Sequence, residues 1–243
     1  MNGALAFIVV TLLSQCADCV IGGPAPRTTC IVRVGTRVMS VGSGIAVSVG
    51  GSPPQAVVLT AGHVAERSGL PATVVWTTGD RATGRVLVAV RSPDVAFVLV
   101  SGTPPAIARL ASRDPAPGET VTVGGYVGGR YWRAYSGRIV GKTTSGDLII
   151  DAPAASGMSG GPAWTTEGVV GVVWGTDGRR SYVTPLRAIQ DITQRYVFPW
   201  NAWLADRRNN PPTESPASPP QQQPQTVPAG PLVPVDWDDW RKR

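Results

Sequence analysis

Short valine-rich runs constrain this chain more than any other feature. They lie at 31–34, 44–49, 56–60, 74–76, 85–90, 95–100, 121–127, 132–140, 148–150, 169–174 and 181–184, each separated from the next by Gly, Pro or Asp. β-Branched residues suit a pleated backbone, and Gly, Pro and Asp punctuate it with turns. Runs this short at regular spacing, with no helical pattern between them, predict an all-β chain, as barrels or a sandwich. The stretch from Gly102-Thr103-Pro104-Pro105 to Pro115-Ala116-Pro117-Gly118 divides the runs into two groups. Two all-β halves, 30–103 and 119–184, joined by a linker over 104–118, follow from that division.

The ends have a different texture. Thr184-Pro185-Leu186 is a helix-start signal, with Thr as N-cap and Pro at the first helical position. Leu186, Ile189 and Ile192 recur at helical spacing, Pro199 stops the run, and Trp200, Trp203 and Leu204 prolong the apolar stripe, so 185–208 reads as a C-terminal helical region. From Pro211 onward there are nine prolines and the triplet Gln221-Gln222-Gln223, with almost no apolar periodicity. Such a segment cannot bury enough surface to offset its ordering entropy, so 209–243 is expected to be an extended, disordered tail. Its last stretch sets Trp237 and Trp240 among acids, which reads either as a docking motif for a partner or as a solvated end.

At the other end, residues 4–13 form an apolar run of about ten, too short to span a bilayer but long enough for a signal-peptide core. Met1-Asn2-Gly3 lacks the usual basic residue, yet 1–18 reads as a signal peptide or hydrophobic targeting segment, followed by a linker over 19–29. That implies transient membrane targeting and a secreted or cell-envelope location. Cys16 and Cys19 have redox-motif spacing by chance of position; cleavage before Cys19 would leave Cys19 and Cys30 as an even pair, able to bridge in an oxidising compartment.

Composition removes whole classes of function. Of 22 basic residues 20 are Arg, and the formal charge is +6, but the basic residues are scattered rather than clustered, which disfavours a nucleic-acid face. The segment Arg130-Tyr131-Trp132-Arg133-Ala134-Tyr135, with Arg138, is the one motif for RNA or DNA stacking, against a plain strand with alternating faces. The chain has a single histidine, His63, so no multi-histidine metal site can form. Three cysteines beside it make a structural zinc site a poor fit, and neither a metal nor a cofactor is expected.

Three short segments carry the chemistry. Leu59-Thr60-Ala61-Gly62-His63-Val64 ends a strand in small residues; Ser92-Pro93-Asp94-Val95-Ala96-Phe97-Val98 sets an acid immediately before a strand; Ser156-Gly157-Met158-Ser159-Gly160-Gly161-Pro162 flanks a serine with glycines. Hydrolysis by serine needs a base near Oγ, an anion that fixes the base's tautomer, and N–H donors aimed at the developing oxyanion. A glycine-flanked serine supplies those donors, here the amides of Gly157 and Ser159. Asp80, in Thr78-Gly79-Asp80-Arg81, competes with Asp94, but its glycine turn suits a hairpin better than a buried partner.

In these segments and their order the chain resembles the chymotrypsin-like serine proteases, over about residues 30–200. The resemblance implies two six-stranded antiparallel β-barrels with the cleft between them, His63 as general base, Asp94 as its orienting partner, Ser159 as nucleophile, Gly157 and Ser159 as oxyanion hole, and a polypeptide substrate. It departs from the digestive-type members, whose freed N-terminal amine pairs with an acid just before the catalytic serine. That position is Met158, which cannot receive a buried ammonium, so Ile21-Gly22-Gly23 is a coincidence and the zymogen mechanism is rejected. Gly42-Ser43-Gly44 and Tyr182-Val183-Thr184-Pro185-Leu186 suit HtrA-like and other short bacterial proteases, or proteases of RNA-virus polyproteins.

By the same resemblance Val172-Val173-Trp174-Gly175 is the strand that pairs with substrate, and Trp174, Gly175, Pro153 and Tyr182 border the specificity pocket. Pro153 stands where the pocket floor carries an acid in trypsin-like enzymes, so selectivity for Arg or Lys is not supported, and a small or apolar residue before the cut is expected. Val173 replaces a serine that often supports the acid, leaving Asp94 with fewer hydrogen bonds. Two rival readings stand beside the endopeptidase: a catalytically silent binding module on the same fold, and a membrane-associated viral polyprotein protease with secondary RNA binding.

Overall fold

The computed structural model describes residues 24–36, 39–50 and 53–193. The expectations for the N-terminal segment, Cys16 and Cys19, the helical stripe beyond Thr193 and the tail fall outside these residues. Twelve strands are described: β1 (Thr29–Val34), β2 (Ser40–Gly50), β3 (Gln55–Thr60), β4 (Pro71–Trp76), β5 (Arg81–Arg91), β6 (Asp94–Ser101), β7 (Thr120–Val127), β8 (Tyr131–Lys142), β9 (Leu148–Ile150), β10 (Pro162–Thr165), β11 (Gly168–Thr176) and β12 (Ser181–Pro185). Two short helices, α1 (Gly62–Ala65) and α2 (Leu186–Ile192), follow β3 and β12. The strands close into two antiparallel six-stranded barrels, ordered β1-β2-β3-β6-β5-β4 and β10-β11-β12-β9-β8-β7. The all-β, two-barrel expectation is met.

Strands β3 and β6 show why their sequences lack the polar alternation of a surface strand. Ala56, Val58, Ala96, Val98 and Val100 point into the first barrel, against Val32, Val34, Val74 and Val86. The intervening Val57, Leu59, Val95, Phe97 and Leu99 point outward, into a second cluster with Val169 and Val172 of β11 and Ile189 and Ile192 of α2. Both faces are therefore apolar, and the strands read as continuous hydrophobic runs. The second barrel fills with Val121, Val123, Ile139, Leu148, Ile150, Ala163 and Val183. Cys30 is a free, fully buried thiol in the first barrel, and burial pushes its pKa up.

The inter-barrel segment is pinned at both sides: Ala108 N–H donates to Ala46 O (2.8 Å), and Ala111 N–H to Val169 O (2.9 Å). Farther along, Asp114 accepts Arg187 of α2 at 3.0 Å, and Arg113 pairs with Glu119 and Glu167 at 2.9 Å each.

Two local readings are corrected. Strand β10 has no counterpart among the Val-rich runs, because Pro162-Ala163-Trp164-Thr165 offers only four residues and begins on a proline. Pro is tolerated as the first residue of a strand, where its missing N–H leaves no ladder gap. The helix also starts one residue later than its signal: Pro185 is the N-cap, extended at φ −70° and ψ 153°, with no side-chain cap. Thr184 belongs to β12 instead, and its hydroxyl is used elsewhere, as described below.

Leu148→Ala in the second core should cost about 2–5 kcal/mol, since Leu148 has no exposed surface. Val140→Ala, half-exposed on β8, should stay within about 0.5 kcal/mol of wild type. Chemical-denaturation midpoints of the two variants test the contrast.

Candidate active site

Register brings the histidine and the aspartate together. In the β3–β6 ladder Thr60 pairs with Ala96, so the chain leaves β3 at the end where it enters β6. Three residues past Thr60 lies His63, in the single turn of α1; two before Ala96 lies Asp94, the first residue of β6. Asp94 grips His63 twice, accepting the main-chain N–H on Oδ1 at 2.8 Å and facing ring Nδ1 from Oδ2 at 2.7 Å. A carboxylate only accepts, so Nδ1 is the ring nitrogen that donates to Asp94 and Nε2 is the one turned away from it. The pair is 33% and 15% exposed, sheltered but open to solvent on the imidazole side.

Gly62 makes the grip sterically feasible: a Cβ there would lie 1.9 Å from Val90 O and 2.7 Å from Asp94 Oδ1. The competing acid is elsewhere. Asp80 is in the β4–β5 turn, accepting from Thr78 Oγ1 at 2.8 Å on an exposed surface. Among the described residues, the hydrogen bonds to the Asp94 carboxylate both come from His63. A support the sequence did not announce comes from the second barrel, where Thr184 Oγ1 donates 3.3 Å to the main-chain oxygen of Asp94.

Ser159 lies on the loop between β9 and β10. Its neighbour Gly160, at φ 89°, comes so close to the strand before His63 that a Cβ would lie 2.2 Å from Thr60 Oγ1 and 3.0 Å from Ala61 N. Ser159 O accepts from Ser43 N–H at 2.7 Å. Its hydroxyl donates to Trp174 O at 3.3 Å, and no hydrogen bond joins it to His63 among the described residues. Gly157, at φ 92°, is equally confined: a Cβ would meet Tyr126 O at 2.6 Å and Gly128 N at 2.7 Å.

Two peptide groups of this loop are oriented through their carbonyls. Ser156 O accepts Gly128 N–H at 2.8 Å, and Met158 O accepts Gly161 N–H at 2.9 Å. In a trans peptide the N–H points opposite to the C=O, so these bonds set the directions of the Gly157 and Ser159 amides. Neither amide donates to a protein acceptor among the described residues.

Of the residues expected to border a specificity pocket, Trp174 and Tyr182 meet as rings 5.5 Å apart, tilted by 32°. A bulge between Val173 and Gly175 sets Gly175 opposite Tyr182. Tyr182 Oη donates to Asp177 Oδ2 at 3.1 Å, a contact the sequence reading missed. Partial burial, then the Asp177 charge, raises the Tyr182 pKa, and main-chain N–H bonds led by that of Arg180 lower the Asp177 pKa. Pro153 is half-buried beside buried Ala152, whose oxygen accepts Ser181 Oγ at 2.6 Å. On β8, Trp132 is occupied by Tyr126 (5.4 Å, edge-on) and Trp164 (6.3 Å, stacked), while Arg133 lies 4.8 Å over the exposed Tyr131 ring. Among the described residues no group of three or more His, Cys, Asp or Glu side chains is arranged to hold a metal ion.

Gly62→Ala, a change that usually favours a helix, should here cost about 1–3 kcal/mol through overpacking. Because His63 is the only histidine, the low-field Nδ1–H proton resonance reports this pair alone, and it should vanish in the variant.

Residues 42–172 match the family model of the trypsin-like peptidase domain. Comparison with curated proteins gives no match. Among solved structures, the active form of the Rv3671c protease from M. tuberculosis superposes with a TM-score of 0.59 at 23% identity, covering 70% of this chain and 81% of that one. The serine endoprotease from Yersinia pestis gives 0.62 at 19% identity, over 72% of this chain and 64% of that one. An HtrA-type protease with a tripeptide gives 0.59 at 17%, over 70% and 60% respectively. The chain thus spans less than two thirds of the last two proteins, and at these identities the likeness is one of fold.

Proposed function

The chain belongs to the trypsin-like peptidase family, and from that premise we propose that it is a serine endopeptidase working through His63, Asp94 and Ser159. The observation that carries this reading is the double grip of Asp94 on His63, at 2.8 Å to the main chain and 2.7 Å to the ring. It leaves Nε2 as a free base beside a glycine-flanked serine whose loop packs on the same strand end.

In the mechanism so read, the Ser159 side chain turns from Trp174 O toward Nε2. As Oγ bonds to the scissile carbonyl carbon, its proton passes to Nε2 and the carbonyl π pair moves onto oxygen. The amides of Gly157 and Ser159 stabilise that oxyanion, an effect on the order of 10²–10³ in rate per donor. The C–N bond then breaks, the amine leaves with the proton from His63, and an acyl-Ser159 ester remains. Water, deprotonated by the same Nε2, adds to the ester carbonyl; the C–Oγ bond then breaks, Ser159 Oγ takes the proton back from His63, and the carboxylic acid product leaves. Asp94 holds the tautomer and offsets the imidazolium charge without itself taking the proton.

Substrate binding follows from β11. Strand β10 pairs with it only as far as Val172, so the same edge at Trp174 to Thr176 is open for an extended peptide to add as a strand. Pro153, Ala154 and Ala155 bring no charge to the pocket, which favours a small or apolar residue before the cut.

Purified protein treated with a fluorophosphonate probe should gain one adduct by intact mass, and Ser159→Ala none. His63→Ala should slow labelling by roughly 10²–10⁴-fold. A folded wild type that takes no adduct would overturn the reading in favour of a binding module on the same fold.

A further inference from the structure

We propose that Ser43 is a positioning residue that holds the oxyanion loop in its working shape through uncharged hydrogen bonds. This deepens the endopeptidase reading and rests on it. Ser43 is on β2 of the first barrel, has no exposed surface, and uses all of its polar groups across or beside the cleft. Its N–H donates to Ser159 O at 2.7 Å, and its main-chain oxygen accepts Thr60 Oγ1 at 2.7 Å. Its hydroxyl accepts Tyr126 N–H at 2.8 Å and lies 2.8 Å from Gly157 O. Since the amide must be the donor at Tyr126, the single hydroxyl proton is committed to Gly157 O.

That bond fixes the middle one of three consecutive peptides. The Gly157–Met158 group is held by Ser43 at its oxygen and by Ala155 O at its N–H, 3.0 Å away. The peptides on either side of it carry the two amides assigned to the oxyanion. Those flanking groups are pinned through their own carbonyls by the Gly128 and Gly161 amides, and the Ser43 hydroxyl holds the one peptide that links them, so its loss frees the connection between the two donors.

The glycines around Ser43 fit the same role. A Cβ at Gly42 would lie 2.7 Å from Ser159 O, and one at Gly44 2.5 Å from the Val32 side chain. The first allows the close approach of β2 to the Ser159 loop, and the second seats the same strand against the first-barrel core. No charge assists: Met158, fully buried, presents a thioether that accepts Ala155 N–H at 3.3 Å.

The test compares second-order rates of fluorophosphonate labelling for wild type, Ser43→Ala and Ser43→Cys, with the His63 Nδ1–H resonance recorded for each. Ser43→Ala should label roughly 10–100-fold more slowly, less than the loss of an oxyanion donor outright. Ser43→Cys keeps a weaker donor at nearly the same place and should fall between the two. The histidine resonance should persist in both, because Ser43 touches neither His63 nor Asp94; general loosening of the site would move it. Labelling of Ser43→Ala within threefold of wild type overturns this proposal and leaves the endopeptidase reading standing. So does loss of the resonance in step with the rate. If Ser43→Ala does not fold, a wild-type rate in Ser43→Cys overturns it equally. An unlabelled wild type overturns both.

Discussion

The site depends on the burial of β3 and β6 on both faces. One face lines the first barrel and the other packs against β11 and α2, so neither strand can slip by a residue without turning a full set of Val, Leu and Phe side chains into the wrong cluster. Locked register fixes where the strand ends fall. His63 and Asp94 sit just at those ends, so hydrophobic packing of ordinary residues sets the separation of two polar ones.

Beside that apolar contact, the polar links between the second barrel and this frame are neutral hydrogen bonds. Ser43 reaches Gly157, Tyr126 and Ser159, Thr184 reaches Asp94, and Thr29 Oγ1 lies 3.4 Å from Tyr126 Oη. Neutral bonds between buried groups are each worth little net but are costly to leave unmade. They are also hardly screened by salt, unlike the exposed pairs of Arg113 with Glu119 and Glu167. Ionic strength should therefore act on the periphery of this molecule before it acts on the cleft.

Much of this was legible in the residues. The Val-rich runs announced the strands, most plainly at β3 and β6, where burial on both faces demands apolar residues at nearly every position. The three segments around His63, Asp94 and Ser159 were visible because glycine and small residues mark the close approaches. What escaped was set by tertiary contact. Strand β10 is four residues long and exists because β7 and β11 flank it. Thr184 has the signature of a helix cap, but the extended Pro185 takes that position and leaves the hydroxyl to Asp94. Ser43 looks like any serine in a glycine turn; its partners Tyr126 and Gly157 lie 83 and 114 positions away, which no local pattern encodes. Asp177 meets Tyr182 through a turn whose geometry, not composition, aims the carboxylate.

Both barrels close, while β10 begins opposite Val172 and the bonds of Val173 to Gly160 and Gly161 are the last on that edge, leaving Gly175 and Thr176 of β11 with no strand beside them there among the described residues. In the proposed binding mode, a substrate segment that adds there as a strand has to give up its own helix or sheet first. Susceptibility of a folded target then belongs to the target: it follows the free energy of local unfolding around the bond, while the peptidase contributes a constant term. An architecture that guards its edges against aggregation thereby becomes a gauge of how loosely other chains are folded.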